Sequence, residues 1–179
     1  MSGGPQSDFL HAARERGFVH QVTGEAALAA IQAHRPDVIF VTSPNNPTGT
    51  TITNDEFASF MDAVPADVIV ALDEAYFEYN RAADTPVATD VITRYPNVVG
   101  LRTFSKAYGL AGARIGYAFG PERIIAALNK VAIPFSVSSM AQVAALASLE
   151  ATAELEARID DTTSQRERVV AKLGLGESQ

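Results

Sequence analysis

The chain has 179 residues, 47% of them hydrophobic and 20% charged, which suits one globular domain with a sizeable core and excludes a disordered chain. Lys and Arg number 14 against 21 Asp and Glu, a formal net charge of −7, which argues against nucleic-acid binding through a general basic surface. Cysteine is absent, so disulfides, Cys-ligated zinc and thiolate catalysis are excluded. No apolar run approaches the roughly 20 residues of a membrane span, and the first residues lack the basic-then-apolar pattern of a signal peptide. The cytoplasm is therefore the expected compartment.

Along the chain, residues 8–16 read as a polar helix and residues 17–21 as a break, with a seam expected between Gln21 and Glu25. Strand and helix then alternate. Residues 38–42 form a short β-branched and aromatic strand, stopped by the loop Ser43-Pro44-Asn45-Asn46-Pro47-Thr48-Gly49. Thr53 and Glu56 have the spacing of a capping box, and Phe57, Phe60, Met61 and Val64 follow at helical intervals. Residues 68–72 are apolar at every position, as in a strand covered on both faces, and lead into Asp73-Glu74-Ala75-Tyr76. Residues 98–104 give a third strand, ended by Ser105-Lys106, and residues 114–120 a fourth, among glycines. Pro121 opens a helix with Ile124, Leu128 and Val131 on one face. Ser139 and Gln142 are placed to cap an alanine-rich helix, and a charged helix follows with Leu155, Ile159, Val169, Val170 and Leu173 spaced to face a core. This alternation predicts an α/β layer with a largely parallel sheet.

Ligands of open α/β sheets sit beyond the carboxyl ends of the strands. Three strands here end in polar groups: Asn45-Asn46, Asp73 and Ser105-Lys106. Each has an ordinary structural explanation, as turn former, helix cap or solvated loop lysine. Were the three strands neighbours, an amide, a carboxylate and an amine would converge in one crevice. Lysine forms Schiff bases with carbonyl compounds. A carboxylate facing a pyridine nitrogen keeps it protonated, which is how pyridoxal phosphate serves as an electron sink. Its phosphate needs hydroxyls and an arginine, and Thr103, Ser105 and Arg114 stand close to Lys106. The three histidines, His11, His20 and His34, lack metal-binding spacing, and no H-E-x-x-H, G-x-S-x-G, G-x-G-x-x-G or Walker loop is present.

The loop from Ser43 to Gly49, the tetrapeptide from Asp73 to Tyr76 and the long segment Thr103-Phe104-Ser105-Lys106-Ala107-Tyr108-Gly109-Leu110-Ala111-Gly112-Ala113-Arg114-Ile115-Gly116-Tyr117 closely resemble the class I and II aminotransferases of pyridoxal-phosphate fold type I. Within that family they are most similar to the histidinol-phosphate and aromatic-amino-acid (phenylalanine) branch, from about Glu25 to about Arg168. The resemblance implies a three-layer α/β/α large domain with a mostly parallel sheet. It implies that Lys106 holds pyridoxal 5′-phosphate covalently and shuttles the substrate's Cα proton. Asp73 would pair with the pyridinium nitrogen. Asn46 and Tyr76 would hydrogen-bond the phenolic oxygen, and Thr103, Ser105 and Arg114 would bind the phosphate. For Ser105 the alternative is a cap for the turn before the lysine. Asn45 is expected to be a turn residue, and Tyr108, Tyr117 and Phe135 packing residues.

The expected reaction is transamination between an aromatic amino acid or histidinol phosphate and 2-oxoglutarate, in a homodimer that engages neither nucleic acid nor membrane. The alternatives are another fold-type-I reaction, such as decarboxylation or β-elimination, or a non-catalytic remnant. Departures from the family pattern point to an incomplete large domain over residues 23–179. No glycine-containing phosphate turn is recognisable before Glu25, and a C-terminal small domain with a carboxylate-binding arginine is expected to be absent. Residues 1–22 faintly resemble the N-terminus of bacterial tyrosyl-tRNA synthetases and read as a leader of foreign origin.

Overall fold

The computed structural model describes residues 36–174. The polar helix, the seam and the leader read in residues 1–25 lie outside the described residues, as do the three histidines. Four strands form one sheet in the order β1-β2-β3-β4: β1 (Val38–Thr42), β2 (Ile69–Asp73), β3 (Val98–Thr103) and β4 (Gly116–Phe119). The first three are parallel, and β4 runs antiparallel to β3. Among the described residues the α-helices are α1 (Asn54–Ala63), α2 (Ala88–Val91), α3 (Glu122–Val131), α4 (Ser139–Glu150) and α5 (Thr152–Leu173). None of the described helices is long and apolar enough to cross a membrane.

The period of two along each strand sorts the side chains into two layers. Val70 and Leu72 of β2, with Val98 of β3 and Ile39 and Val41 of β1, face one way, against Phe57 and Met61 of α1 and Ala88 and Val91 of α2. Ile69, Ala71, Val99 and Leu101 face the other way, against Ile124 and Ile125 of α3. Helices thus cover both faces of a parallel-dominated sheet, the expected three-layer α/β/α arrangement, and the uninterrupted apolar run of β2 follows from that cover. Gly100 of β3 permits the close packing. A Cβ there would lie 2.6 Å from the Ala88 Cβ and 2.6 Å from the Phe119 ring, far inside van der Waals contact.

The capping box holds as expected. The Thr53 side chain accepts from the Glu56 N–H, and the Glu56 carboxylate accepts from the Thr53 N–H at 2.8 Å. Further on, three expectations are corrected. The cap of α4 is Ser138, whose hydroxyl accepts from the Ala141 N–H at 3.2 Å, and Gln142 turns back to donate to the Val137 carbonyl instead. In α5 the face spaced toward a core is covered only in part, and the shared apolar face of α3 is likewise only partly covered. Ile124 and Ile159 are buried, while Leu128, Val131, Val169 and Leu173 are exposed. Phe135, expected to pack, is fully exposed.

Candidate active site

Parallel pairing brings the three polar strand ends side by side. Thr42 is in register with Asp73, and Asp73 with Leu101. Beyond Asp73 the chain stays locked to its neighbours, since the Ser43 N–H donates to the Asp73 carbonyl and the Glu74 N–H to the Leu101 carbonyl. Strand alternation then separates two sets of groups. Asp73 and Thr103 fall on the α3 side of the sheet, and Glu74 and Arg102 on the α1 and α2 side.

An open cleft of about 320 Å³ lies at these carboxyl ends, lined by Asp73, Thr103, Ser105, Lys106 and Arg114 together with Ala75, Leu101 and Arg102. Asp73 is half-buried, and its Oδ1 accepts from the Ala75 N–H at 3.0 Å, which fixes the carboxylate at the start of the turn. Asn46 reaches across from the first loop, where its Nδ2 donates to the Tyr76 hydroxyl at 2.7 Å. The Lys106 ammonium stands 5.1 Å from the centre of the Tyr76 ring. Lys106 foremost, and Asn46 next, hold the Tyr76 phenol below its ordinary pKa by stabilising the phenolate. All seven residues singled out in the sequence are therefore gathered at one end of the sheet.

Local structure explains how each is presented. Asn45 shapes the first loop: its side chain donates to the Thr48 hydroxyl at 2.6 Å, and its N–H and carbonyl pair with Thr50 and Gly49. It is a turn residue, as expected. The turn before the lysine is capped by Thr103, whose Oγ1 accepts from the Ser105 N–H at 3.1 Å; the capping task considered for Ser105 belongs to its neighbour. Phe104 and Ala107 are buried on either side of Lys106, so the lysine stands on a loop pinned at both shoulders. Gly109 closes that loop at φ +72, a left-handed conformation that suits glycine. Arg158 of α5 donates to the Ala107 carbonyl at 3.1 Å from beneath. Arg114 also takes a left-handed conformation, at φ 52 and ψ 48, which costs a non-glycine residue roughly 1–2 kcal/mol. Its guanidinium makes one contact with the Ala111 carbonyl, at 2.9 Å, and is otherwise exposed. Lys106 is exposed as well; the described residues leave its amine in an open mouth rather than a dry pocket. Tyr108 and Tyr117 pack on Phe104, with ring centres 4.9 and 5.8 Å away.

Sequence reasoning missed one pair. Glu74 is only 1% exposed, and its Oε2 accepts from the Arg102 Nε at 2.8 Å while its Oε1 accepts from the Ala88 N–H at 2.7 Å. Burial by itself would push the Arg102 guanidinium down, but the hydrogen bond and charge of Glu74 prevail and hold it above its usual value. The signal was legible: an arginine inside the apolar run 98–104 and an acid directly after the apolar run 68–72 each need a partner if buried. With Arg102 matched by Glu74, Arg114 is the cleft arginine without a carboxylate partner among the described residues.

The comparisons with known proteins agree with this geometry. The family model for aminotransferase class I and II matches residues 12–177. The aromatic amino acid aminotransferase of Corynebacterium glutamicum (strain R) is 61% identical over 153 residues, covering 86% of this chain and 45% of that protein. The aromatic amino acid aminotransferase of Rhodococcus opacus (strain B4) is 56% identical over 143 residues, covering 80% of this chain and 39% of that protein. Among solved structures, the histidinol-phosphate aminotransferase of Sinorhizobium meliloti in complex with pyridoxal-5′-phosphate superposes with a TM-score of 0.72 at 34% identity, over 81% of this chain and 39% of that one. The chain thus spans less than half the length of these relatives. A match from residue 12 to residue 177, over a sheet of this order with these groups at its carboxyl end, has one consequence: the chain belongs to the class I and II aminotransferases.

Proposed function

We propose that this chain carries the cofactor site of a pyridoxal-phosphate-dependent aminotransferase, with residues 23–179 forming part of the large domain. The carrying observation is the convergence of Lys106, Asp73, the Asn46–Tyr76 pair and Arg114 around one cleft. The donor set matches the cofactor group by group: an amine for its aldehyde, a carboxylate for its ring nitrogen, an amide and phenol for its phenolic oxygen, and hydroxyls with an arginine that has no carboxylate partner among the described residues for its phosphate. When bound, pyridoxal phosphate supplies a carbonyl for the lysine and an electron sink for negative charge at the substrate Cα.

The residues of the chain would do the rest. Lys106 Nζ anchors the cofactor and, once released, takes the proton from the substrate Cα and holds it for delivery. Asp73, tied by its Oδ1 to the Ala75 N–H, presents a fixed negative charge that keeps a ring nitrogen protonated. The Tyr76 hydroxyl and Asn46 amide orient the phenolic oxygen. Ser105 and Thr103 offer hydroxyls, and Arg114 a guanidinium, to the phosphate. The amino donor is read as an aromatic amino acid, with histidinol phosphate as the other candidate and 2-oxoglutarate as acceptor; the high identity to proteins named aromatic amino acid aminotransferase supports this. A homodimer acting in the cytoplasm completes the reading.

The chain contains only three lysines, Lys106, Lys130 and Lys172, which makes the test clean. Borohydride reduction with pyridoxal phosphate should fix the label on Lys106. Label on Lys130 or Lys172 in its place overturns the assignment. Steady-state assays with phenylalanine and with histidinol phosphate then discriminate the donor.

A further inference from the structure

The Ala75–Tyr76 dipeptide is irregular backbone, yet the Tyr76 hydroxyl is aimed closely enough to meet Asn46 at 2.7 Å. The residues that flank the dipeptide share one partner. Before it, Glu74 is ion-paired to Arg102 at 2.8 Å. After it, the Phe77 ring lies under the same guanidinium, 3.8 Å from ring centre to Cζ. Arg102 is itself fixed in β3, in register with Tyr117 of β4, and its Cζ lies 5.4 Å from the centre of the Phe119 ring. The second Glu74 oxygen is occupied by the Ala88 N–H, so the carboxylate cannot swing away without leaving a buried donor unpaired.

We propose that Arg102 is a positioning residue: by gripping Glu74 and Phe77 at once it holds the intervening turn and aims the Tyr76 hydroxyl at Asn46 and Lys106. Only arginine suits this place. Its planar group can donate in-plane to a carboxylate while presenting a face to an aromatic ring, which an ammonium cannot do. Arg102 borders the cleft, but strand alternation places its grip on Glu74 and Phe77 on the sheet face opposite Asp73 and Thr103. Arg102 touches neither Asn46 nor the Tyr76 hydroxyl; its influence passes through the backbone of the turn. The catalytic value of this aim rests on the proposed cofactor reading, but the aim itself is measurable without cofactor.

The readout is the phenol of Tyr76, which faces Lys106, Asn46 and Asp73. Ultraviolet pH titration of the full chain, with Tyr76→Phe subtracted to isolate this tyrosine among five, gives its midpoint. In Arg102→Lys, which keeps the charge and loses the plane, the midpoint should rise toward the ordinary tyrosine value by on the order of half a pH unit or more. Phe77→Leu, which leaves the buried ion pair intact, should shift it the same way by a smaller amount. A merely structural role would lower the unfolding midpoint of these variants and leave the phenol of the folded protein unmoved. Should Arg102→Lys lose its circular-dichroism signature, Phe77→Leu decides alone. An unchanged Tyr76 midpoint in a folded variant overturns the proposal. Borohydride labelling of the same samples separates the two readings: a shifted phenol with no label on wild-type Lys106 sinks the cofactor reading and leaves the grip standing, whereas a labelled lysine with an unmoved phenol does the reverse.

Discussion

The two ends of the described chain treat apolar residues in opposite ways. In β2, the residues on both faces are covered: Val70 and Leu72 by α1 and α2, Ala71 by α3. In α4, Ala141 and Ala145 point inward and are buried, while Met140, Val143, Leu146 and Leu149 lie exposed on another side at intervals of three. The segment before it adds Val131, Ile133 and Phe135, all more than 70% exposed. The sheet region is thus closed and carries fixed polar groups at its rim. The helical region presents an apolar surface of the kind that drives association. An apolar run in a strand and an apolar stripe on a helix look alike in composition; what differs is whether the described elements supply the second surface.

The sharpest way to test that contrast uses the lysines. Lys106 sits at the closed end and Lys130 in α3, at the open end. Lys106→Ala should abolish the reducible pyridoxal-phosphate label altogether, and Lys130→Ala should leave it intact, as read by mass spectrometry. Equal loss in both would mean that labelling follows exposure and not site geometry.

Next in size is the core. Phe57 of α1 is 2% exposed and meets the Tyr95 ring edge-on, with centroids 5.9 Å apart. Phe57→Ala should cost about 3–5 kcal/mol in urea unfolding, from lost burial and the cavity left behind. At the open end, replacing Val143 and Leu146 with Glu and Lys should change stability by no more than about 0.5 kcal/mol per site, yet lower the apparent mass in size-exclusion chromatography. A large stability loss there would show that the α4 face is already packed.

Much of this was legible in the residues. β1, β2 and β3 stand within a residue or so of the apolar runs that announced them, because a buried parallel strand has few other ways to be written. The gathering of Asn46, Asp73 and Lys106 at one end of the sheet was legible because each lies at a strand end or within four residues beyond one, and parallel pairing of neighbours leaves only one place for such ends to meet. What escaped was long-range partnership. Nothing local couples Glu74 to Arg102 across 28 positions; only the sheet register does. The shift of the α4 cap from Ser139 to Ser138 has a similar origin. Two adjacent serines offer the same hydroxyl, and the path of the chain into the helix selects between them. The stripe on α5 misled because periodicity reports which residues share a face, not what lies opposite it; Ile159 is covered, and Val169 is not.

The smallest predicted effect lies at the seam between the closed region and solvent, and it depends on pH. Glu78 follows Tyr76 in the short helical turn Phe77–Tyr79, and its Oε2 is buried without a hydrogen-bond partner among the described residues. Burial pushes its carboxyl above the ordinary 4.5; a hydrogen bond to its own backbone and then the Arg102 charge pull it back in part, and Glu74 opposes that pull. A raised value means that the folded chain binds this proton more tightly than the unfolded chain does. The stability from that tighter binding is complete below pH 4.5 and is lost as pH rises through the folded-state value. Glutamine stays neutral throughout. Glu78→Gln should therefore match the wild type in acid, gain on it as pH rises through the carboxylate range, and hold a constant advantage beyond. Urea unfolding of both proteins across that range measures the difference, since the contributions of carboxylates remote from Glu78 cancel. A difference that does not vary with pH would mean that water reaches Oε2, and that the closed region ends before Glu78 and not after it.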